Sequence, residues 1–305
     1  MKRLIQIWVV GLASLLLLAG CGLSDGTSSR RAIESTDPAV SAAEPTSSTE
    51  PASSAEPTGA ATIEPQACFT YEGLTVTATG LSDGIFGQEL NLQIDNQSKS
   101  DYLIGCEAVI VNNYMVTDLF SSTVAAGKQA NTELNLLGSE LEEAGIRQIG
   151  QIELYFYVSD PDTYRRVYES ECVTIRTSQY DAMSDVTASG TELCNANGVR
   201  ISGQYVDENS IWGTSVLLLV ENNSGRNIAV TADDLSVNGK MMTALYSATV
   251  YDGKKSLDNI TLLSTELKKN GIETVNDVEL KFNIYDPESY QTIAETGALT
   301  FHVAS

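Results

Sequence analysis

Residues 151–158 read QIELYFYV, and residues 277–284 read DVELKFNI. In both stretches every second residue is apolar, and most of the residues between them are polar or tyrosine. A period of two is typical of a β-strand that buries one face and leaves the other in solvent. The apolar face is the same in both stretches while the other face differs. The pattern therefore predicts two half-buried strands that play the same part in two related units.

These stretches belong to an internal repeat with an offset of 126 residues. Residues 86–175 align with residues 212–301 without a gap, and 28 of the 90 pairs are identical. The identical pairs include Asn96 with Asn222, Asn112 with Asn238, Gly145-Ile146 with Gly271-Ile272, and Asp160-Pro161 with Asp286-Pro287. Each unit is as long as a whole domain, so the repeat predicts a duplicated domain.

Each unit contains about seven short strands, with turn signals every 8–12 residues or so, which is typical of a β-sandwich. We predict an all-β chain with two tandem immunoglobulin-like domains, at residues 67–178 and 192–305, joined by a polar connector at residues 179–191. A small closed barrel is the alternative. Each domain is expected to fold independently, because each is far above the size that needs external support.

One short helix is predicted in each domain. Ser139-Glu140-Leu141-Glu142 has the spacing of a capping box, and Gly145 stands where a left-handed C-terminal cap belongs. In the second unit Thr265-Glu266-Leu267-Lys268 keeps the hydroxyl cap, and Gly271 keeps the terminating glycine.

The first 21 residues have the order of a secretory signal. Lys2 and Arg3 precede an uncharged apolar run, and small residues lead to Cys21. Leu18-Ala19-Gly20-Cys21 resembles the lipobox of bacterial lipoproteins, which implies lipidation of Cys21 and attachment to the membrane through that lipid. An ordinary secretory signal with an incidental cysteine is the alternative.

Residues 22–66 are predicted to be a disordered tether. They contain five of the seven prolines and no aromatic residue, and they are otherwise rich in Ser, Thr, Ala and Glu. Such a segment cannot bury enough apolar surface to offset the entropy lost on ordering.

The net charge of the chain is −22, from 18 basic and 40 acidic residues. A surface this acidic argues against nucleic acid as a partner, because phosphate backbones require basic patches. No cofactor-binding motif occurs, and we expect none to be bound.

Besides Cys21, the chain has Cys68, Cys106, Cys172 and Cys194. An even number of cysteines in an exported protein permits two disulfides. We predict a Cys106–Cys172 bridge, because both cysteines align with alanines in the second unit. Cys68 and Cys194 align with each other and are either thiols or an interdomain bridge. The alternative for all four is a small buried hydrophobic side chain.

No motif predicts catalysis or a metal site. Gly80-Leu81-Ser82-Asp83-Gly84 matches G-x-S-x-G, but a nucleophile elbow also needs a strand-to-helix turn and a histidine base, and His302 is the only histidine. Asp160 with Asp162, and Asp286 with Glu288, offer oxygens to Ca²⁺, but each pair also fits a turn with proline at its second position. We therefore predict no metal site and no enzymatic activity.

A binding surface is predicted on the outward face of residues 151–158. Tyr155 and Tyr157 lie there, and exposed aromatic side chains are frequent binding anchors. Tyr102 and Tyr114 are further candidates, and ordinary strand packing is the alternative for all four. In the second unit Leu217 and Leu219 face away from the expected core, so they pack on the first domain, contact a partner or lie under a loop.

The whole plan resembles surface lipoproteins of Gram-positive, clostridia-like bacteria that carry immunoglobulin-like domains of unknown function. The resemblance rests on Leu18–Cys21, on the tether and on the repeated stretch that ends at Asp160-Pro161 and Asp286-Pro287. It implies a lipid-anchored protein on the outer face of the cell membrane. We expect a non-catalytic role in binding or adhesion to an envelope protein or glycan. A structural spacer without a ligand is the alternative, and an enzyme is the weakest one.

Overall fold

The computed structural model describes residues 30–35, 60–84, 87–117, 120–136, 141, 146, 148–183, 190–210 and 213–304. No helix in these ranges is both long enough and apolar enough to cross a lipid bilayer. Cys21 and the predicted signal lie outside the described residues, and so does most of the capping box at Ser139.

The described chain contains 21 β-strands. In chain order they are β1 Arg30–Ser35, β2 Gln66–Tyr71, β3 Leu74–Gly84, β4 Gly87–Asn96, β5 Tyr102–Val111, β6 Tyr114–Val116, β7 Ser121–Val124, β8 Lys128–Asn135, β9 Gln151–Ser159, β10 Arg166–Glu169, β11 Val173–Arg176, β12 Thr191–Ala196, β13 Val199–Ser210, β14 Gly213–Asn222, β15 Ile228–Val237, β16 Lys240–Met241, β17 Ser247–Val250, β18 Lys255–Leu263, β19 Asp277–Tyr285, β20 Thr292–Glu295 and β21 Leu299–Val303. A 3₁₀ turn covers Tyr180–Ala182, and an α-helix, α1, covers Ser264–Lys269.

The first repeat, residues 67–178, is a sandwich of two sheets. One sheet has the order β2-β3-β4-β8. The other is built on β5, which pairs with β6, β7 and β9, while β9 pairs in turn with β10 and β11. All of these pairings are antiparallel, and apolar side chains from both sheets form one buried cluster.

The second repeat, residues 192–305, has the same arrangement. Strands β12, β13, β14 and β18 form one sheet, and β15, β16, β17, β19, β20 and β21 form the other. A second buried cluster lies between these two sheets. The prediction of an all-β, immunoglobulin-like sandwich is confirmed, and the strands of the described residues do not close into a barrel.

The two stretches with a period of two are strands β9 and β19. Their alternating residues are fully or almost fully buried: Ile152, Leu154, Phe156 and Val158 in β9, and Val278, Leu280, Phe282 and Ile284 in β19. Burying one such side chain stabilises a fold by roughly 1.5–3 kcal/mol. These strands therefore fix the register of each sandwich.

A pair of identical asparagines, Asn96 and Asn222, cross-links the backbone at the same place in both repeats. Asn96 and Asn222 have no exposed surface. The amide of Asn222 donates to the carbonyl oxygens of Arg226 and Val250, and its Oδ1 accepts from Ser224. Asn96 makes the corresponding bonds to Ser100, Val124 and Ser98. The buried asparagine is thus present in both repeats because its side chain forms hydrogen bonds with several backbone groups that would otherwise have no partner.

Helix α1 begins two residues earlier than the sequence predicts. Its N-cap is Leu263, which makes no side-chain capping bond, so the expected hydroxyl cap at Thr265 is wrong. Glu266 instead accepts hydrogen bonds from the backbone and hydroxyl of Thr243 and so attaches the neighbouring loop. Gly271 has a φ of 67°, as predicted for the residue after the helix.

Strand β1 lies inside the segment that we expected to be a disordered tether. Arg30–Ser35 pairs with β13 and with β21 of the second repeat. The low-complexity composition around β1 gave no indication that Ile33 would be buried. Its side chain is 4 % exposed and belongs to the core of the second repeat. The expectation of disorder throughout residues 22–66 is therefore corrected for this strand, and Gln66 belongs to β2.

The two repeats are joined by apolar contacts and by strand pairing. Leu217, Leu219 and Leu257 of the second repeat belong to the buried cluster of the first. Strand β6 of the first repeat pairs in parallel with β18 of the second. Of the three alternatives for Leu217 and Leu219, packing on the first repeat is thus the one observed. The division into two independently folding domains stays a prediction.

Candidate functional site

A groove of about 650 Å³ lies between the two repeats. We call it the junction groove. The first repeat lines it with Glu107, Tyr155, Phe156, Tyr157, Arg166, Glu169 and Ser170, and the second with Asn227, Thr249, Tyr251, Pro287 and Glu288. It contains both tyrosines that the sequence predicts as a binding surface. Because both repeats supply its walls, the groove exists only when they are docked.

Strand β9 positions Tyr155 and Tyr157 on the face opposite the core. Both side chains are half-buried rather than exposed. Tyr157 faces Gly105 on β5, and a Cβ atom at Gly105 would overlap the tyrosine ring. The missing side chain on β5 therefore gives the ring of Tyr157 a place to lie flat across the sheet.

Arg166 forms the polar centre of the first-repeat wall. Its guanidinium carbon lies 4.3 Å from the centroid of the Tyr157 ring, a cation–π arrangement. It also pairs with Glu107 and, at 3.3 Å, with Glu169. Glu107 occupies a bulge in the β5–β9 ladder between Cys106 and Ala108. Bulges re-aim side chains, which is how Glu107 reaches the guanidinium.

Tyr155 has a different environment from Tyr157. Its ring packs edge-on against Tyr251 of the second repeat, with centroids 5.0 Å apart. Burial, followed by a hydrogen bond with Cys172, raises the pKa of Tyr155 above its ordinary value. Tyr155 is therefore partly a contact between the repeats, whereas Tyr157 lies against Arg166 in the first-repeat wall of the groove.

A buried ion pair fixes the neighbouring part of the junction. Lys254 of the second repeat pairs with Glu153 on β9, and both side chains are less than one-fifth exposed. The ammonium group also donates to the side chain of Asn113 at 3.1 Å, and the backbone amide of Lys255 donates to the Asn113 carbonyl at 2.9 Å. Separating the repeats would leave a buried charge without its partner, which is costly. This arrangement therefore holds the repeats in one orientation.

The junction groove has a negative electrostatic character. It contains three glutamates and one arginine among its lining residues. Burial first, and then the charges of Glu107, Glu288 and Glu169, raise the pKa of the Tyr251 hydroxyl, although Arg166 opposes them. A ligand with positive charge would be attracted to such a site.

The predicted Cys106–Cys172 disulfide is not formed, and no disulfide joins any cysteines of the described chain. Cys106 packs against the first core, whereas Cys172 is exposed, with its sulfur 3.9 Å from Glu153. The two side chains thus lie on opposite faces of the sheet, which sequence alignment alone does not reveal. Cys68 and Cys194 pack against different cores, and burial raises the pKa of the Cys68 thiol to about 11.

The residues weighed as catalytic or metal-binding have structural partners. Ser82 lies in β3 and donates to Asn91 at 2.9 Å, while His302 lies in the second repeat beside Asp277. Asp160 accepts bonds from Asp162 and Thr163 in its own turn, and these bonds lower its pKa, with Thr163 contributing most. Asp286 lies in the corresponding turn of the second repeat and accepts bonds from the backbone of Glu288 and Ser289. Within the described ranges, no group of three or more His, Cys, Asp or Glu side chains is placed to hold a metal ion.

Two other tyrosines weighed for the binding surface are buried. Tyr102 is 6 % exposed and Tyr114 is 1 % exposed, and both belong to the first core. Conversely, sequence reasoning missed Glu107, Arg166 and Tyr251 as parts of the groove. For these three residues the sequence contains only an indirect signal: Leu217 and Leu219 face away from the core of the second repeat, which indicates that this face packs against another surface.

No family model matches the chain, and no curated protein matches it. Among solved structures it is similar to the Salmonella enterica SafA pilin in complex with the SafB chaperone, at 12 % identity and a TM-score of 0.22, covering 70 % of this chain and 88 % of that one. It is also similar to a Porphyromonas gingivalis protein of unknown function, at 13 % identity and a TM-score of 0.20, covering 76 % and 98 %. A third is the secreted serine protease VesC from Vibrio cholerae, at 11 % identity and a TM-score of 0.19, covering 77 % and 50 %. At such low TM-scores these likenesses carry no functional argument.

Proposed function

We propose that this chain is a lipid-anchored, non-catalytic binding protein of the outer cell surface, and that the junction groove is its ligand site. The observation that carries the proposal is the groove itself, because Tyr155, Tyr157 and Arg166 in its wall occur in the first repeat only. Tyr155, Tyr157 and Arg166 align with Lys281, Asn283 and Thr292 in the second repeat. A spacer built from two equivalent units would have no need of this difference.

The chemistry of the groove favours a basic segment of an envelope protein as the ligand. Glu288 and the partly exposed Glu107 and Glu169 offer carboxylates, and the tyrosine rings offer flat apolar surface. Lysine and arginine side chains combine an apolar stem with a positive head, so they match both features. Glu107 and Glu169 both engage Arg166, which favours binding over acid–base catalysis by this pair.

A structural spacer remains the second candidate, and one contact favours it. Tyr155 packs on Tyr251 across the junction, so part of the aromatic surface serves to hold the repeats together. The two functions predict different behaviour for Tyr157, which makes no such contact with the second repeat and lies instead against Arg166.

Tyr157→Ala should weaken ligand binding by about 30-fold, since removing an aromatic anchor from the centre of an interface costs 2 kcal/mol or more. Tyr164→Ala is the matched control, because Tyr164 is 74 % exposed and lies outside the groove. Residues 22–305 are immobilised and incubated with envelope extract, and the retained protein is titrated against wild type at low and high salt. Equal retention by wild type and Tyr157→Ala would support the spacer, and retention of a neutral glycan would replace the basic ligand.

Cys21→Ser should move the protein from the membrane fraction to the soluble fraction, because the lipid would be the attachment. Cys172→Ser is the control: its thiol is exposed, and its loss should leave the protein on the membrane. Fractionation of cells followed by immunoblotting measures both variants. A Cys21→Ser protein that stays on the membrane would contradict the anchor.

A further inference from the structure

Strand β1 lies in a slot on the second repeat that is formed by β13 and β21. Its first half, Arg30 to Ala32, pairs with Asp207 to Tyr205 of β13. Its second half, Ile33 to Ser35, pairs with Val303 to Phe301 of β21. Since β13 and β21 belong to different sheets of the sandwich, β1 closes the gap between the two sheets along one edge.

The slot has a recess shaped for Ile33. A Cβ atom added to Gly203 would lie 2.7 Å from Cδ1 and 3.2 Å from Cγ2 of Ile33, so the isoleucine keeps its present position because residue 203 has no side chain. In the first repeat Ala78 stands at the position that corresponds to Gly203. The second repeat therefore offers more room for this side chain than the first.

Arg31 fills the other half of the slot. Its Nε donates to the carbonyl of Ala304 at 2.7 Å, its Nη1 to the carbonyl of Val275 at 2.8 Å, and its Nη2 to the carbonyl of Val303 at 3.2 Å. Its Nη1 also pairs with Glu208 at 2.8 Å, and the arginine side chain is only 16 % exposed. Four bonds to one guanidinium make this a specific site, because the carbonyls of Val275, Val303 and Ala304 would each lose this donor if the strand left.

We propose that this slot is the docking site of the anchored N-terminus, which holds the second repeat, and not the first, next to the membrane. The inference rests on the proposed lipid at Cys21. Only residues 22–29 separate that cysteine from β1, and eight residues with their flanking bonds span at most about 30 Å. Residues 36–59 then return the chain to the first repeat. The order of the repeats from the membrane is thus the reverse of their order in the sequence.

The test joins β1 to the second repeat by a disulfide and then cuts the return segment. Glu34 and His302 are exposed and face each other in the β1–β21 ladder, so Glu34→Cys/His302→Cys should form a disulfide. Glu34→Cys/Asp277→Cys is the matched control, because Asp277 lies one strand further away, about 10 Å from Glu34. A site-specific protease sequence is inserted after Ser48 in the full-length, membrane-bound protein.

We expect the first pair to be oxidised in most molecules and the control pair in about a tenth or fewer. After cleavage both repeats should stay on the membrane until reductant is added, and the control should be released sooner. Adding Ile33→Asp should prevent the disulfide. Release of the cross-linking variant without reductant, or absence of the disulfide, would overturn the proposal. Disulfide-linked dimers would also overturn it, since β1 would then sit on a second copy. A failed anchor gives a different result, namely soluble protein before any cleavage.

Discussion

Asn222→Ala should lower the free energy of unfolding by about 3 kcal/mol and the melting temperature by about 10 °C. The amide of Asn222 donates to the carbonyls of Arg226 and Val250 at 2.8 and 2.9 Å, and its oxygen accepts from Ser224. The side chain is fully buried, so alanine would leave these carbonyls without a partner and with little access to water. Urea unfolding followed by tyrosine and tryptophan fluorescence measures the change.

Asn223→Ala is the matched control for this prediction. Asn223 is the next residue along the chain and is exposed, so its replacement should change the free energy of unfolding by less than about 0.5 kcal/mol. Asn96→Ala should reproduce the effect in the first repeat, because Asn96 makes the same set of bonds there. If Asn222→Ala lowers the free energy of unfolding by less than about 1 kcal/mol, water would have replaced the amide as the hydrogen-bond partner of these carbonyls.

The sequence predicts the sandwiches well because their determinants are local. The alternation at residues 151–158 defines a strand with one buried face, and the repeat shows which face matters, since Phe156 and Phe282 are both kept and both buried. The paired asparagines at 96 and 222 stand out for the same reason. Residues kept in both copies are those that satisfy the common core and its backbone.

The site is harder to predict because it depends on how the repeats dock. Arg166 and Glu107 are 59 positions apart, and a bulge in β5 brings them together. Tyr251 reaches the groove only through the second repeat. Cys106 and Cys172 lie on opposite faces of the sheet because of the strand register. The alignment of both cysteines with alanines contains no information about that register.

Strand β1 escaped prediction for a compositional reason. Arg30–Ser35 lies among serines, threonines and prolines. It has one deeply buried apolar side chain, Ile33, and one such residue does not produce the alternating pattern that predicts a strand. What orders the segment is the slot on the second repeat, with its glycine at 203 and the acceptors around Arg31. Such a signal exists only in the tertiary structure.

Leu219→Asp should uncouple the two repeats and lower the free energy of unfolding of the docked protein by about 3–5 kcal/mol. Leu219 pairs with Ser202 and Leu257 within its own sheet, but its side chain lies in the buried cluster of the first repeat and is 2 % exposed. A carboxylate at this position would be buried without a partner unless the repeats separate. Wild type should therefore unfold in one calorimetric transition and the variant in two.

Leu245→Asp is the control for this change, because Leu245 is 44 % exposed and the same substitution there should leave a single transition. If the junction groove needs both repeats, Leu219→Asp should also abolish ligand binding while each sandwich keeps its β-sheet circular dichroism. A variant that unfolds as wild type does would show that the apolar contact between the repeats contributes little. In that case the ion pair of Lys254 with Glu153 and the β6–β18 pairing would have to hold the junction together.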